Sequence, residues 1–297
     1  MAFLSPTLSH MPPIVTYIGF GEAGRAFASP GVRAFDRKTC EPASRDEMLA
    51  AFAAARVQGA ESAALTLEGA DAAISLVTAD QALAAARDYA QHLAPGALWL
   101  DMNSVAPDTK RAAAAAIRRT GGRYVDVAVM APVHPARRDV PLLISGPYAK
   151  AGSALLAAMG FTRLRIIEGG IGAASAVKMI RSVMVKGIEA LTAECVIAAE
   201  AAGVRHEVLA SLDASEKPKL WNERADYNLE RMLVHGLRRA AEMEEVVKTL
   251  DGLGTGSTMS RGTVERQRAL GSLGIAAPDG LNAKLATLTA PKQEKAA

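Results

Sequence analysis

Short apolar runs alternate with alanine-rich segments through the first half of the chain. The runs lie at residues 14–19, 32–35, 72–77, 98–102, 123–127 and 142–145. Apolar runs of this length, separated by helical segments, are typical of strands in a parallel sheet, because the crossover helices bury both faces of the sheet. The pattern therefore predicts an N-terminal domain of the α/β class.

The pattern changes at the glycine-rich segment 168–172, and the chain beyond it is helical in character almost throughout. Residues 173–202 form one long helix candidate, since apolar residues recur at spacings of three and four. The other faces of this segment are also rich in alanine and apolar residues, so we expect several of them to be buried. The sequence predicts an all-α C-terminal domain.

A glycine-rich turn follows the first apolar run directly. Its glycines have the spacing G-x-G-x-x-G, and a helix start of small residues comes next. Between a strand and a helix, such glycines permit a tight turn, let the backbone approach a pyrophosphate, and allow the helix to pack closely. The turn predicts a dinucleotide site of the Rossmann type. Its expected cofactor-binding residues are Gly19, Phe20, Gly21, Glu22, Ala23 and Gly24.

A carboxylate ends the second apolar run. Asp36 lies 17 residues after Gly19, slightly closer than the spacing of about 20 residues usual for the acidic residue that binds ribose. A carboxylate there accepts hydrogen bonds from the ribose hydroxyls and repels a 2′-phosphate, which favours NAD. Arg37 and Lys38 follow at once and could clamp that phosphate. We therefore expect NAD as the cofactor, with NADP possible and Arg37 in contact with either.

Polar residues follow two further apolar runs. Val77 and Thr78 come at the end of one run, and Asn103 and Ser104 come between the next run and Pro107, a residue favoured at the first position of a helix. Carboxyl ends of parallel strands form the edge where ligands bind. We expect Val77, Thr78 and Asn103 to contact the cofactor, and Asn103 and Ser104 to contact substrate. An ordinary capped turn is the alternative for the second pair.

The long helix candidate carries a lysine on a mostly apolar stretch. Lys178 and Ser182 are four residues apart and therefore lie on one face of the helix. A lysine in apolar surroundings is costly unless it is paired or functional. The alternative is that its charged end reaches solvent along the helix surface.

Composition excludes several classes of protein. The net charge of +3 and the aromatic content of 4% give no reason to expect a nucleic-acid partner. Two cysteines without C-x-x-C spacing, among 297 residues, favour a reducing cytoplasm. The five histidines lack metal-ligand spacing. We expect no metal, no membrane segment, and a small-molecule substrate.

Four segments together resemble the β-hydroxyacid dehydrogenase superfamily, which includes 3-hydroxyisobutyrate and 6-phosphogluconate dehydrogenases. They are the glycine turn, the Asp101-x-Asn-Ser loop, Asp126-Val-Ala-Val-Met-Ala-Pro132, and the segment from Gly169 to Lys178. The resemblance implies that Lys178 is the catalytic lysine and that Asn103 and Ser104 belong to the substrate loop. The last third resembles a branch with a helical domain of unknown function.

The implied activity is hydride transfer between a nicotinamide and a small hydroxy acid or related carbonyl compound, with a lysine as general acid and base. The sequence departs from the superfamily pattern in two places, one residue and one three-residue segment. Ser182 stands where asparagine is usual, and Met130-Ala-Pro stands in place of Ser-Gly-Gly. Met130 is therefore a substrate-site candidate, and His134, His235 and Arg238 could supply the missing polar contacts. Solvated charges or a satisfied loop histidine are the alternatives.

Three other functions stay open. An imine reductase or a decarboxylating dehydrogenase would use the same fold, and a silent dinucleotide-binding protein would explain the two departures. We divide the chain into a flexible leader at 1–12, a dinucleotide-binding domain at 13–167 and a helical substrate and dimerisation domain at 168–297. A helix that is apolar on several faces also predicts a homodimer formed through the helical domains.

Overall fold

The first part of the chain folds around one mostly parallel sheet. A computed structural model describes residues 13–215 and 218–289, and within them the sheet has eight strands. These are β1 (Val15–Ile18), β2 (Arg33–Phe35), β3 (Gln58–Gly59), β4 (Ala72–Ser75), β5 (Leu98–Asp101), β6 (Arg123–Val129), β7 (Leu142–Ser145) and β8 (Leu164–Ile166). Their order across the sheet is β3-β2-β1-β4-β5-β6-β7-β8.

Six helices connect the strands of this sheet. They are α1 (Glu22–Phe27), α2 (Arg45–Ala55), α3 (Ala63–Leu67), α4 (Ala82–Tyr89), α5 (Pro107–Arg119) and α6 (Ala149–Ala158). The order in which successive strands are added to the sheet reverses between β1 and β4. These two strands pair in parallel, although two other strands separate them in sequence. Such a reversal opens a crevice at the carboxyl ends of the strands, where ligands bind in doubly wound sheets.

Both faces of the sheet are buried. Consecutive strand residues point to opposite faces, and accordingly Tyr17 packs in one apolar cluster and Ile18 in the other. Leu98 and Trp99 on β5 divide between the clusters in the same way. Burial on both sides explains why these strands are continuous apolar runs in the sequence.

The predicted fold class is confirmed, and all six predicted strands are present within one or two residues of their expected ends. Two details differ from expectation. The pattern missed β3 and β8, whose two and three residues are too short and too exposed to show a period. The expectation of parallel strands was wrong for β7, which runs antiparallel to β6.

Five helices make up the rest of the described chain. They are α7 (Ala173–Ala201), α8 (Arg205–Ser215), α9 (Trp221–Leu253), α10 (Thr258–Gly271) and α11 (Leu281–Thr289). In the helical region α9 and α10 cross closely, and a Cβ added at Gly271 would lie 2.5 Å from the backbone nitrogen of Leu237. The crossing therefore depends on glycine. None of the helices in the described ranges is long and apolar enough to span a membrane.

The contacts divide the chain into two units, the first ending at Val183 and the second beginning at Met184. This division falls inside α7, whereas the predicted boundary between residues 167 and 168 precedes that helix. The proposed leader, residues 1–12, and most of the expected frayed end, residues 290–297, lie outside the described residues.

Candidate functional site

In the glycine turn between β1 and α1, close contact with backbone atoms leaves no room for a side chain at two of the three glycines. Gly19 has a φ of +95°, and a Cβ there would lie 2.7 Å from the carbonyl oxygen of Leu76. A Cβ at Gly24 would lie 2.8 Å from the carbonyl oxygen of Gly19. No side chain fits at either distance, so both glycines are required by the protein's own backbone.

Gly21 differs from the other two glycines. A Cβ at Gly21 would meet no atom of the described residues within 4 Å, and Gly21 directly precedes the first residue of α1. The packing of the described part of the chain therefore leaves room for a side chain there. The open space in front of a helix N-terminus is what a bound pyrophosphate needs, because free backbone N–H groups point into it. The turn fits a dinucleotide.

A cavity of about 310 Å³, here called the Asp36 cavity, lies beside this turn. Gly19, Gly21, Val77 and Thr78 line it together with Asp36 and Arg37. The Asp36 carboxylate accepts hydrogen bonds from the backbone nitrogens of Phe20, at 2.8 Å, and Lys38, at 3.0 Å. Each carboxylate oxygen keeps a further lone pair, which leaves Asp36 able to accept from a ribose hydroxyl.

The Arg37 side chain is tied down at the edge of the Asp36 cavity. Its Nη1 donates to Oε1 of Gln81 at 2.8 Å, and its Nε lies 3.9 Å from a carboxylate oxygen of Glu41. Lys38 also lines this cavity. The cavity is therefore lined by both a carboxylate and two cationic groups.

A second cavity of about 320 Å³, here called the Lys178 cavity, lies at the ends of β4, β5 and β6. Glu22 and Ala23 of α1 line it, as do Asn103, Ser104 and Lys178. Ala131 and Pro132, which belong to the segment in place of Ser-Gly-Gly, also line it. The lining residues that the sequence analysis missed are apolar and lie at or after the strand ends: Leu76, Ala79, Met102, Val129 and Val133. Apolar walls around a few polar groups are typical of small-molecule sites.

Asn103 carries a buried polar atom without a partner. The residue is 5% exposed, and its Nδ2 donates to the hydroxyl of Ser75 at 2.9 Å. Its Oδ1 has no hydrogen-bond partner among the described residues. If the amide is turned around, the orphan becomes the nitrogen instead. Buried polar groups are nearly always paired, so an orphan in a cavity wall indicates a place for a ligand's polar group.

Lys178 and Ser104 are in direct contact in the wall of the Lys178 cavity. The amine of Lys178 donates to the hydroxyl of Ser104, although 74 positions separate the two residues in sequence. Ser104 follows β5, and Lys178 lies in the second turn of α7. The structure thus brings together Asn103, Ser104 and Lys178, which the sequence analysis had chosen from two distant segments.

Three of the other substrate-site candidates, Ser182, Met130 and His134, are close in sequence to residues that line this cavity but do not line it themselves. The Ser182 hydroxyl donates to the backbone oxygen of Lys178 at 2.9 Å, one turn back on the same helix. Met130 donates its backbone N–H to Pro141, and His134 is exposed. His235 and Arg238 belong to α9 of the second unit. The roles of all five stay predictions.

The two cavities share part of one wall. Leu76 and Val77, at the end of β4, line both of them. A ligand that extends from Asp36 past the glycine turn would therefore reach the Lys178 cavity. Within the described ranges, no group of three or more histidine, cysteine, aspartate or glutamate residues could hold a metal ion.

Comparison with known proteins gives a family match over each part of the chain. Residues 14–167, more than half of the chain, match the model of the NAD binding domain of 6-phosphogluconate dehydrogenase. Residues 199–270 match a domain of unknown function, DUF1932. The first match covers both cavities except for Lys178.

Solved structures agree with these matches. A conserved hypothetical protein from Sinorhizobium meliloti 1021 is 35% identical, with a TM-score of 0.59, over 96% of this chain and 99% of that one. The conserved protein MTH1747, of unknown function and reported to resemble 3-hydroxyacid dehydrogenases, is 28% identical, with a TM-score of 0.55, over 88% of this chain and 99% of its own.

An imine reductase from Myxococcus stipitatus, in complex with NADP⁺, has a higher TM-score of 0.69, over 93% of this chain and all of its own. Its identity of 17% shows a common fold and no more. The family match over residues 14–167 carries the assignment. The chain belongs to the family that shares the NAD binding domain of 6-phosphogluconate dehydrogenase, here joined to a DUF1932 domain.

Proposed function

We propose that this protein is an NAD(P)-dependent oxidoreductase that transfers a hydride between nicotinamide and a small hydroxy acid or a related carbonyl compound. The observation that carries the proposal is the contact between Lys178 and Ser104 in a cavity that adjoins the Asp36 cavity. Beside them, the Oδ1 of Asn103 has no hydrogen-bond partner among the described residues. The reported likeness of the 28% identical protein to 3-hydroxyacid dehydrogenases supports the same class of reaction.

The residues of the first unit would divide the binding of the dinucleotide. Asp36 would accept from the ribose hydroxyls, and the backbone N–H groups at the start of α1 would face the pyrophosphate. The nicotinamide supplies or accepts the hydride when bound. Asn103, with one amide atom unpaired in the wall of the Lys178 cavity, would hydrogen-bond a polar group of the cofactor or the substrate.

Lys178 would handle the proton. In oxidation, its neutral amine accepts the proton of the substrate hydroxyl while the hydride leaves the carbon that carries that hydroxyl. In reduction, its ammonium donates a proton to the oxygen of the carbonyl as the carbon accepts the hydride. Ser104 holds the amine in position through its hydroxyl.

Replacement of Lys178 tests this role. Lys178→Ala should lower kcat by roughly 100-fold to 10,000-fold, the usual range for general acid–base catalysis. The dissociation constant for NADH should hardly change, because Lys178 does not line the Asp36 cavity. Ser182→Ala should spare kcat and at most raise KM, because its hydroxyl donates to the backbone oxygen of Lys178 and does not line the Lys178 cavity. Turnover is measured as NAD(P)H oxidation with a panel of carbonyl compounds and imines.

Lys150→Ala, at an exposed lysine on α6, controls for the loss of a surface charge and should leave turnover unchanged. A Lys178→Ala variant within a few-fold of the wild type would contradict the mechanism. A wild-type protein that binds NADH but turns over no member of the panel would favour a silent dinucleotide-binding protein. Turnover of imines alone would favour an imine reductase.

The cofactor preference follows from the Asp36 cavity. We propose that NAD(H) binds more tightly than NADP(H), because the Asp36 carboxylate would repel a 2′-phosphate and the Arg37 guanidinium is already held by Gln81 and Glu41. Lys38 reduces the preference. Titration of both reduced cofactors, followed by fluorescence, measures it, and binding of NADPH about tenfold tighter or more would overturn the preference.

A further inference from the structure

A fully buried lysine contacts the aspartate that binds the backbone of Asn103, a residue in the wall of the Lys178 cavity. Lys110 of α5 is 0% exposed, and so are the carboxylates of Asp101 and Asp126. Its amine donates to the side chain of Asp101 at 2.9 Å and to that residue's backbone oxygen at 2.6 Å. The same amine lies 3.4 Å from Oδ1 of Asp126. One cation therefore joins two neighbouring strands, at Asp101 in the last position of β5 and at Asp126 in the middle of β6.

The Asp101 carboxylate holds the loop that carries two site residues. Its Oδ1 accepts from the backbone N–H of Asn103 at 2.9 Å, and its Oδ2 accepts from the hydroxyl of Tyr124 at 2.7 Å. Burial and the neighbouring Asp101 charge raise the pKa of Tyr124 well above its usual value, so the hydroxyl stays protonated and remains a donor. The geometry of Asn103 and Ser104 thus depends on Asp101.

The Asp126 carboxylate holds the start of α7. Its Oδ2 accepts from the backbone N–H groups of Gly172, at 3.0 Å, and Ser175, at 3.2 Å, and from the hydroxyl of Ser145 at 3.1 Å. A carboxylate at a helix N-terminus is favourable in both charge and hydrogen bonding. Lys178 lies one turn after Ser175. The position of the first turn of α7, and with it the position of Lys178, therefore depends on Asp126.

We propose that Lys110 is a positioning residue: by bridging Asp101 and Asp126, it fixes the Asn103–Ser104 loop relative to the first turn of α7, so that the Lys178 amine meets Ser104. The Ser175 hydroxyl, which donates to the backbone oxygen of Val105, adds a direct contact between the same two segments. This inference rests on the proposed function only for its kinetic consequence, because the bridge itself is independent of what Lys178 does.

Lys110→Met tests the bridge. It keeps most of the length of the side chain and leaves two buried carboxylates without their shared cation, which is costly in a buried site. We expect faster amide hydrogen exchange at residues 172–178 and 101–105. We also expect kcat to fall on the order of a hundredfold, as misplacement of reacting groups by about 1 Å does. The dissociation constant for NADH should stay unchanged, since neither Lys110 nor its two aspartates line the Asp36 cavity.

Lys284→Met is the matched control. Lys284 of α11 is 1% exposed and also pairs with two carboxylates, those of Asp226 and Glu230. Its replacement should lower stability in the helical unit without altering exchange at 172–178 or at 101–105. If both variants lower kcat equally at equal loss of stability, Lys110 has a general structural role and the inference is wrong.

A double variant, Lys110→Met with Asp126→Asn, separates positioning from charge balance. It removes one cation and one anion, and the new amide oxygen can still accept from the start of α7. Positioning by the bridge predicts that the double variant recovers stability but not kcat. Recovery of both would mean that Lys110 only neutralises charge, which overturns the inference. A wild-type kcat in Lys178→Ala would instead remove the proposed mechanism and leave the exchange result standing.

Discussion

Gly21 and Gly24 lie in the same turn, yet an added methyl group would meet different surroundings at each. At Gly24 it would press on the backbone oxygen of Gly19, at 2.8 Å. At Gly21 it would have no atom of residues 13–215 or 218–289 within 4 Å. One glycine therefore serves the fold, and the other is free to serve a ligand.

Two alanine substitutions should separate these roles. Gly24→Ala should lower the free energy of unfolding by about 1–3 kcal/mol, the usual cost of overpacking. Gly21→Ala should cost less than about 1 kcal/mol, since alanine is only a poorer N-cap than glycine, but should weaken NADH binding by about tenfold or more. Urea unfolding and NADH titration measure both. Tight NADH binding by Gly21→Ala would argue against a pyrophosphate at this turn.

The site candidates that line the two cavities are ones that a local pattern in the sequence marks, and their roles stay predictions. The glycine turn, Asp36, Asn103, Ser104 and Lys178 each follow a strand or lie on a recognisable helix face. Lys110 could not be found in this way, because it stands next to Arg111 in a segment that reads as an ordinary exposed helix start. Its burial arises from its contacts with aspartates on two neighbouring strands, Asp101 and Asp126, which no local period in the sequence reveals.

Among the elements, α10 has an unusual start. Its N-cap residue, Ser257, makes no capping hydrogen bond to the helix through its side chain. Instead, Glu194 of α7 accepts from the backbone nitrogens of Met259, at 2.8 Å, and Ser260, at 2.9 Å. Desolvation alone would raise the pKa of Glu194, but hydrogen bonds from Ser260 and Met259 outweigh it and lower the pKa below its usual value.

This contact should make the helical unit sensitive to acid. Because the pKa of Glu194 is lowered in the folded protein, its contribution is complete above the unfolded-state pKa and is lost as the pH falls through the folded-state pKa. The wild type should therefore exceed Glu194→Gln in thermal stability at neutral pH, and the difference should shrink below the ordinary glutamate pKa. Glu265→Gln, at an exposed residue of α10, is the control. A difference that is constant with pH would exclude this role.

Prediction of elements succeeded where burial was complete and failed where it was not. The strands that the sequence revealed are largely covered on both faces, whereas β3 and β8 are mostly exposed edge strands of two and three residues. The direction of β7 was also hidden, since an apolar run of four residues carries no information about which way it crosses the sheet. The register shows it, since Asp126 pairs with Ser145 and Val129 pairs with Leu142.

For the whole molecule, α7 leaves large apolar side chains exposed along its length. Among them are Ile180, Ile188 and Ile197. Such a surface is costly in water unless another chain covers it. We expect a homodimer through the helical domains, and light scattering at micromolar concentration should report twice the chain's mass of 31.0 kDa.

A pair of substitutions with equal exposure makes this prediction specific. Ile188 on α7 and Leu49 on α2 are both 45% exposed. Ile188→Asp should convert the dimer to a monomer, because it introduces a charge into the buried interface, whereas Leu49→Asp should leave the mass unchanged. A monomeric wild type would exclude the expected interface. A dimer that Ile188→Asp leaves intact would place the interface elsewhere on the chain.

The shared wall of Leu76 and Val77 has a consequence for how this protein can change over evolutionary time. Arg37 and Lys38 lie on one side of it, and Ser104 and Lys178 on the other, with no further residue lining both cavities. Substitutions at separate sites without common partners act nearly independently. A lineage could therefore exchange one dinucleotide for another without retuning its chemistry, or acquire a new substrate while keeping its cofactor.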